Sequence, residues 1–189
     1  RLGEALLVDV ESLGETSEFA ASKYLKNATL FETQSSGVAT SDFSIDPSNR
    51  NSVASGYHAY FIPSEEYASV HEFTGDVSNC IPGTVSDEFQ DMTLARVNYY
   101  RAQAGLPSDI YFTAAKSAKA QKGAIIMAYL DDITHYPAVE YPDNTCVLAD
   151  QASGGEGIEA ASKSNLSLGS LGPASVDGQM TDDGSNNAV

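Results

Sequence analysis

Few residues of this chain can do more than pack: three histidines (His58, His71, His135), two cysteines (Cys80, Cys146) and a large set of carboxylates. Two of them stand out by context. His135 lies in Ile133-Thr134-His135-Tyr136-Pro137 and Glu156 in Gly154-Gly155-Glu156-Gly157-Ile158. If folding brings them together, an imidazole nitrogen and a carboxylate oxygen could ligate a divalent ion, with open positions left for water. A catalytic zinc generally takes three protein ligands, so this pair alone would hold a metal weakly. Read singly, His135 is a loop histidine with a capping or hydrogen-bonding role, and Glu156 is a first-turn helix carboxylate.

Cys80 and Cys146 each sit in a turn-like context, and an even count without Cys-x-x-Cys suits one disulfide in an oxidising compartment. Two unrelated free thiols are the alternative. A bridge would stabilise the fold by about 4 kcal/mol in the chain-entropy account. Other chemistries find no support, since there is no Gly-x-Ser-x-Gly elbow, phosphate-cradling glycine loop or His-Glu-x-x-His helix. Asn27-Ala28-Thr29 and Asn165-Leu166-Ser167 fit the glycosylation sequon, a triplet common by chance.

The elements that must position these groups belong to a chain of 189 residues, enough for one domain plus an extension. Hydrophobic residues at 42% and charged residues at 19% indicate a globular chain. Ten Lys and Arg against 26 Asp and Glu give a formal charge of -16, which repels phosphate backbones and argues against nucleic acid as a partner. No apolar run reaches the roughly 18 residues of a membrane span. The start at Arg1 shows no basic-then-apolar leader, so a signal peptide is expected to lie outside this chain.

Residues 1–85 are weakly patterned. Glu4 to Val10 reads as strand or helix, Ser17 to Ala28 has helical spacing, Ser35 to Ser55 reads as loop, and the aromatic run Tyr57 to Ile62 reads as a strand. From Ser86 the signals sharpen. Ser86-Asp87-Glu88 predicts a helix N-terminus, Phe89, Met92, Val97, Tyr100 and Ala104 a face, and Gly105-Leu106-Pro107 a stop. A second helix is predicted from the Thr113 cap to about Asp131, with Ala114, Ala118, Ile125 and Tyr129 on a face. Tyr136 precedes a proline, which keeps His135 in a loop. Shorter helices are expected at Glu159 to Lys163 and Pro173 to Met180, and Asp182 to Asn187 is turn-forming.

The run Asn98-Tyr99-Tyr100-Arg101-Ala102-Gln103-Ala104-Gly105-Leu106-Pro107, followed by the alanine-rich helix, by His135-Tyr136-Pro137 and by Gly155-Glu156-Gly157-Ile158, resembles the CAP superfamily of cysteine-rich secretory, antigen-5 and pathogenesis-related-1 proteins, bacterial members in particular. The resemblance covers about Asp87 to Val189. It implies an α+β fold, an α-β-α sandwich over 86–189, preceded by a mixed region over 1–85. It also implies a cleft in which His135 matches a metal-binding histidine and Glu156 the acidic residue of a Gly-Glu-Asn motif whose asparagine is here Gly157. Asn98 and Arg101 match structural positions. The family's second histidine and second acidic residue lie on strands beyond Val189, so the rest of the cleft and sheet is expected from a longer parent chain or from a second chain or fragment.

The function so implied is a secreted or cell-surface binding module, leaning away from catalysis, that takes a lipid, peptide or carbohydrate in a metal-capable cleft. Zinc is the first candidate ion, with calcium or magnesium as alternatives. Two other readings are a divalent-metal-dependent hydrolase, in which His135 holds the ion and Glu156 ligates it or acts as general base, and an extracellular structural or adhesion module.

Overall fold

Ser86 and Thr113 open the two long helices because each carries a hydroxyl where a helix start leaves backbone N–H groups unpaired. In the structure, a computed structural model describing residues 43–181, Ser86 Oγ accepts from the Phe89 N–H at 3.0 Å and Thr113 Oγ1 from the Lys116 N–H at 3.4 Å. The helices run over Asp87–Gln103 and Ala114–Leu130. The first ends where Gly105 takes φ 71°, a left-handed turn that glycine adopts without a Cβ penalty. The second ends on Asp131 at φ 52°.

In chain order the α-helices are α1 (Arg50–Gly56), α2 (Asp87–Gln103), α3 (Ala114–Leu130), α4 (Pro137–Glu140), α5 (Thr145–Ala152), α6 (Glu156–Ala161) and α7 (Gly172–Thr181). Between α1 and α2 the chain continues as a π-helical turn over Tyr57–Phe61, a 3-10 segment over Ile62–Val70 and a short 3-10 turn over Val77–Asn79.

The expected α-β-α sandwich is not what these residues form. The described chain is almost entirely helical and has no sheet. Its only β-type pairing among the described residues is an isolated antiparallel bridge between Asp76 and Ile81. The physical reason lies in the spacing of the apolar residues, which recur every three or four positions through α2 to α7 and present no alternating face to pair.

Tyr57 to Ile62, read from sequence as a strand, is helical. Tyr57 and Phe61 stack at 4.8 Å, one helical turn apart, and both rings meet Tyr99 of α2. Tyr60 turns the other way and stacks on Phe43 at 3.6 Å. The Ile62 N–H bonds the Tyr57 carbonyl five residues back, just ahead of Pro63, whose missing donor stops an α-helical ladder from continuing. The loop expected over Ser35 to Ser55 gives way to α1 at Asn49, whose side chain accepts from the N–H groups of Asn51 and Ser52. The readings at Glu4 to Val10, Ser17 to Ala28, Asn27-Ala28-Thr29 and Asp182 to Asn187 lie outside the described residues.

Two apolar clusters form the core. Ile45, Tyr99 and Ala102, ringed by Phe43, Val53, Tyr57, Tyr60 and Phe61, hold residues 43–70 against α2. Ile125, Ile126, Met127, Cys146, Val147 and Ala161 hold α3, α5 and α6 together. Complete burial of a side chain such as Ile126 or Val147 contributes about 1.5–3 kcal/mol. Of the faces predicted for the long helices, Phe89 and Met92 on α2 and Ile125 on α3 are buried as expected, and the other positions are not. Leu94, Ala95, Arg96, Asn98, Tyr99 and Ala102 are buried on α2, while Ala114, Ala118 and Tyr129 of α3 are exposed.

Glycine lets α3 and α6 approach closely. A Cβ on Gly157 would lie 2.9 Å from both Asp150 Oδ1 and the Lys122 carbonyl carbon, and one on Gly123 would lie 3.1 Å from the Gly157 carbonyl oxygen. Asp150, itself buried, takes the place of a capping side chain for α6: its two carboxylate oxygens accept from Gly157 N–H at 3.1 Å and Ile158 N–H at 2.9 Å. This is why α6 starts at Glu156, three residues before the helix expected at Glu159. Gly157 is thus a packing requirement here.

Candidate functional site

His135 and Glu156, the predicted metal pair, each engage a different partner. His135, on the exposed loop after α3, donates from Nδ1 to the carbonyl oxygen of Ala161 at 2.7 Å, and since a carbonyl only accepts, that nitrogen carries the proton. Ala161 is the last residue of α6 and Glu156 the first. Five residue steps, about 7.5 Å of helix axis, separate Ala161 from Glu156. Glu156 is occupied by lysines of α3, accepting from Lys122 Nζ at 2.6 Å with Lys119 Nζ at 3.7 Å. The Lys122 hydrogen bond, and then its charge, hold the Glu156 carboxyl below its usual value. Glu159 completes this surface network through Lys119 and Lys163, and those two hydrogen bonds lower its carboxyl to about 2. Among the described residues no group of three or more His, Cys, Asp or Glu is placed to hold a metal ion.

Asn98 and Arg101 do architectural work three residues apart. The buried Asn98 side chain donates to the Ile110 carbonyl at 3.1 Å, and Arg101 Nε donates to the Pro107 carbonyl at 2.7 Å. Together they fold the Gly105-Leu106-Pro107 exit back along α2. Cys80 and Cys146 form a disulfide with Cα atoms 5.3 Å apart, which ties the Val77–Asn79 turn to α5. No helix of the described residues is long and apolar enough to cross a membrane.

A feature that can accept a ligand lies between α2, α3 and α7. It is an open cleft of about 480 Å³, within the range of small-molecule sites. One wall comes from α2 and α7 through Phe89, Gly172 and Ser175, and the opposite wall from α3 through Ala120, Ala124 and Ala128. The 71–85 segment closes one side with Phe73, Val77 and Val85, and the 164–171 loop closes the other with Leu166, Leu168 and Leu171. Ala120, Ala124 and Ala128 are one turn apart and exposed, so the cleft exists because these side chains are too short to fill it. His71 stands at the rim, 4.7 Å from the Phe89 ring and stacked on Phe73 at 5.9 Å. Neither His135 nor Glu156 lines the cleft.

A second group that sequence reasoning passed over positions the α7 wall. Arg96 is 2% exposed, and its guanidinium pairs with Asp177 of α7, donates to Ser64 Oγ at 2.9 Å and to the Phe61 carbonyl at 3.2 Å, and lies 3.6 Å over the Phe61 ring. Tyr100 donates to the other Asp177 oxygen at 3.0 Å. Burial first, and then this hydrogen bond, push the Tyr100 phenol up to about 12. The folded state therefore holds this proton more tightly than the unfolded chain does. The associated stability is complete below the unfolded value near 10 and drains as pH rises from there through about 12. A Tyr100→Phe chain should lose less stability than the native chain between those limits, as read from urea midpoints on either side of the window; equal losses would remove Tyr100 from the alkaline transition. Nothing in the local sequence around Arg96 marks it as buried, because its partners come from segments 32 and 81 residues away.

Compared with protein-family models, with curated proteins and with solved structures, the chain finds no match in any of the three.

Proposed function

We propose that this chain is a secreted binding module whose cleft between α2, α3 and α7 holds the apolar part of a lipid-like ligand. The observation that carries this reading is the cleft itself: about 480 Å³ of open space walled mainly by alanine, leucine, valine and phenylalanine side chains. Of the three ligand classes considered from sequence, a lipid suits such walls best. A carbohydrate calls for many hydrogen-bonding groups and a peptide for backbone partners along the groove, whereas apolar walls favour a chain or ring that leaves water. The disulfide supports an oxidising, extracellular compartment.

The resemblance to the helical opening of CAP domains is kept as part of the proposal, supported by the way Asn98 and Arg101 hold the Ala-Gly-Leu-Pro turn. The hydrolase reading is set aside, because His135 bonds the Ala161 carbonyl at the end of α6 while Glu156, at its start, is taken up by Lys122.

The test is to fill the cleft from its floor. Ala124 is exposed and lines the cleft, so Ala124→Phe should occupy ligand space while leaving the two cores intact. Binding of the uncharged dye Nile red should weaken by about tenfold or more in this variant, at unchanged far-ultraviolet circular dichroism. Equal binding by the two proteins would place the dye elsewhere and end the proposal. Mass spectrometry of an organic extract of the purified protein then identifies the natural occupant.

A further inference from the structure

Among the described residues, the lining of the cleft contains aromatic, aliphatic, hydroxyl and amide side chains and one imidazole, but no Asp, Glu, Lys or Arg. That is unusual company in a chain with 36 charged residues, the sum of 10 Lys and Arg and 26 Asp and Glu. Its polar groups, among them Gln121 on α3, Ser164 and Asn165 on the loop and Ser175 on α7, can give or accept hydrogen bonds but offer no permanent countercharge.

Resting on the cleft reading above, we infer that the ligand is a single-chain or compact amphiphile with an uncharged hydroxyl head group, and that the site discriminates against carboxylates and phosphates. The argument holds wherever the head group sits. Inside the cleft, a hydroxyl is satisfied by one or two hydrogen bonds to a serine or amide, whereas a carboxylate loses its water without meeting a cation. At the mouth, an anion faces a protein of formal charge -16, whose field lowers its local concentration and opposes binding. The lysines nearest in sequence do not relieve this, because Lys119 and Lys122 are directed to Glu159 and Glu156 on the α6 side and neither lines the cleft.

The experiment compares decanol with decanoate, which share one alkyl chain and differ in head-group charge, by calorimetric titration of the whole chain at about pH 8, where decanoate is ionised. Decanol should bind at least about tenfold more tightly. Gln121→Lys places a cation in the lining, and should raise the ratio of decanoate to decanol affinity by about tenfold over the native ratio. Equal or tighter binding of decanoate to the native chain overturns the head-group inference and leaves the cleft reading standing. Binding of neither overturns both. A Gln121→Lys chain with the native ratio of decanoate to decanol affinity also overturns the inference, because the head group then lies out of reach of the lining.

Discussion

Replacing Asp177 by alanine should destabilise the protein by about 3 kcal/mol, measured by urea unfolding at neutral pH. Removing one partner of a buried pair costs about 3–5 kcal/mol, because the remaining charge is left without compensation in a poorly solvated place. The lower end applies, since the Asp177 side chain is 31% exposed and water can enter the space it vacates, whereas the Arg96 side chain is only 2% exposed. Arg96 would keep Ser64 Oγ, the Phe61 carbonyl and the Phe61 ring, none of which carries a negative charge. Asp177→Asn keeps an acceptor for the Tyr100 hydroxyl and should recover part of the loss. The double variant Arg96→Met/Asp177→Ala should be more stable than Asp177→Ala alone, because the orphaned charge goes with its partner. If Asp177→Ala lies within about 1 kcal/mol of native, the pair is a surface contact in its energetics and α7 is held by other means. The cleft supplies a second readout: α7 contributes Gly172 and Ser175 to the wall, so a loosened α7 should weaken Nile red binding even where the rest of the fold is intact.

What could be read from the sequence divides along a physical line. The ends of α2 and α3 were legible because capping is local chemistry: Ser86, Thr113 and Gly105 each act within three or four residues. The start of α6 was not, because its cap is the carboxylate of Asp150 on the preceding helix. The α5 helix over Thr145–Ala152 was not predicted, although Asn144 carries the needed signal and accepts from the N–H groups of Cys146 and Val147. Tyr57 to Ile62 shows the opposite limit. A short aromatic run fits strand or helix equally, and the choice is made by Phe43, Tyr99 and Pro63, of which only Pro63 is close in sequence. The sandwich was expected by resemblance alone, and the described residues offer no strand pattern to carry it.

The candidate site was less legible than the elements, for a related reason. Ala120, Ala124 and Ala128 look in sequence like a close-packing face, and only the tertiary arrangement leaves that face bordering open space. His135 and Glu156 are 21 positions apart, and each reading made of them singly describes what they do: one hydrogen-bonds a helix end and the other is a first-turn carboxylate held by lysines. Spacing brought both to the same helix, and nothing in it said that they would stand at opposite ends.

Opening the Cys80–Cys146 bridge, by reduction or by the Cys80→Ala/Cys146→Ala substitution, should cost about 4 kcal/mol, the largest single effect expected in this molecule. The cysteines are 66 residues apart, so the unfolded chain regains a long loop when the bridge is cut. With a denaturant slope of about 2 kcal/mol/M, the urea midpoint should fall by about 2 M. The loss has a location as well as a size. Cys146 is buried among Ile125, Ile126 and Val147, so α5 keeps its apolar contacts without the bridge. The Val77–Asn79 turn is half-exposed and held otherwise by Val77 against the α3 cluster, by the Asp76 side chain and by the Asp76–Ile81 bridge. Reduction should therefore free the 71–85 wall of the cleft first, weakening Nile red binding at denaturant concentrations where circular dichroism still reports native helix. Loss of binding and of helix in a single shared transition would mean that the bridge supports the whole fold evenly; a midpoint shift equivalent to less than about 1 kcal/mol would mean that the native contacts already restrain this loop.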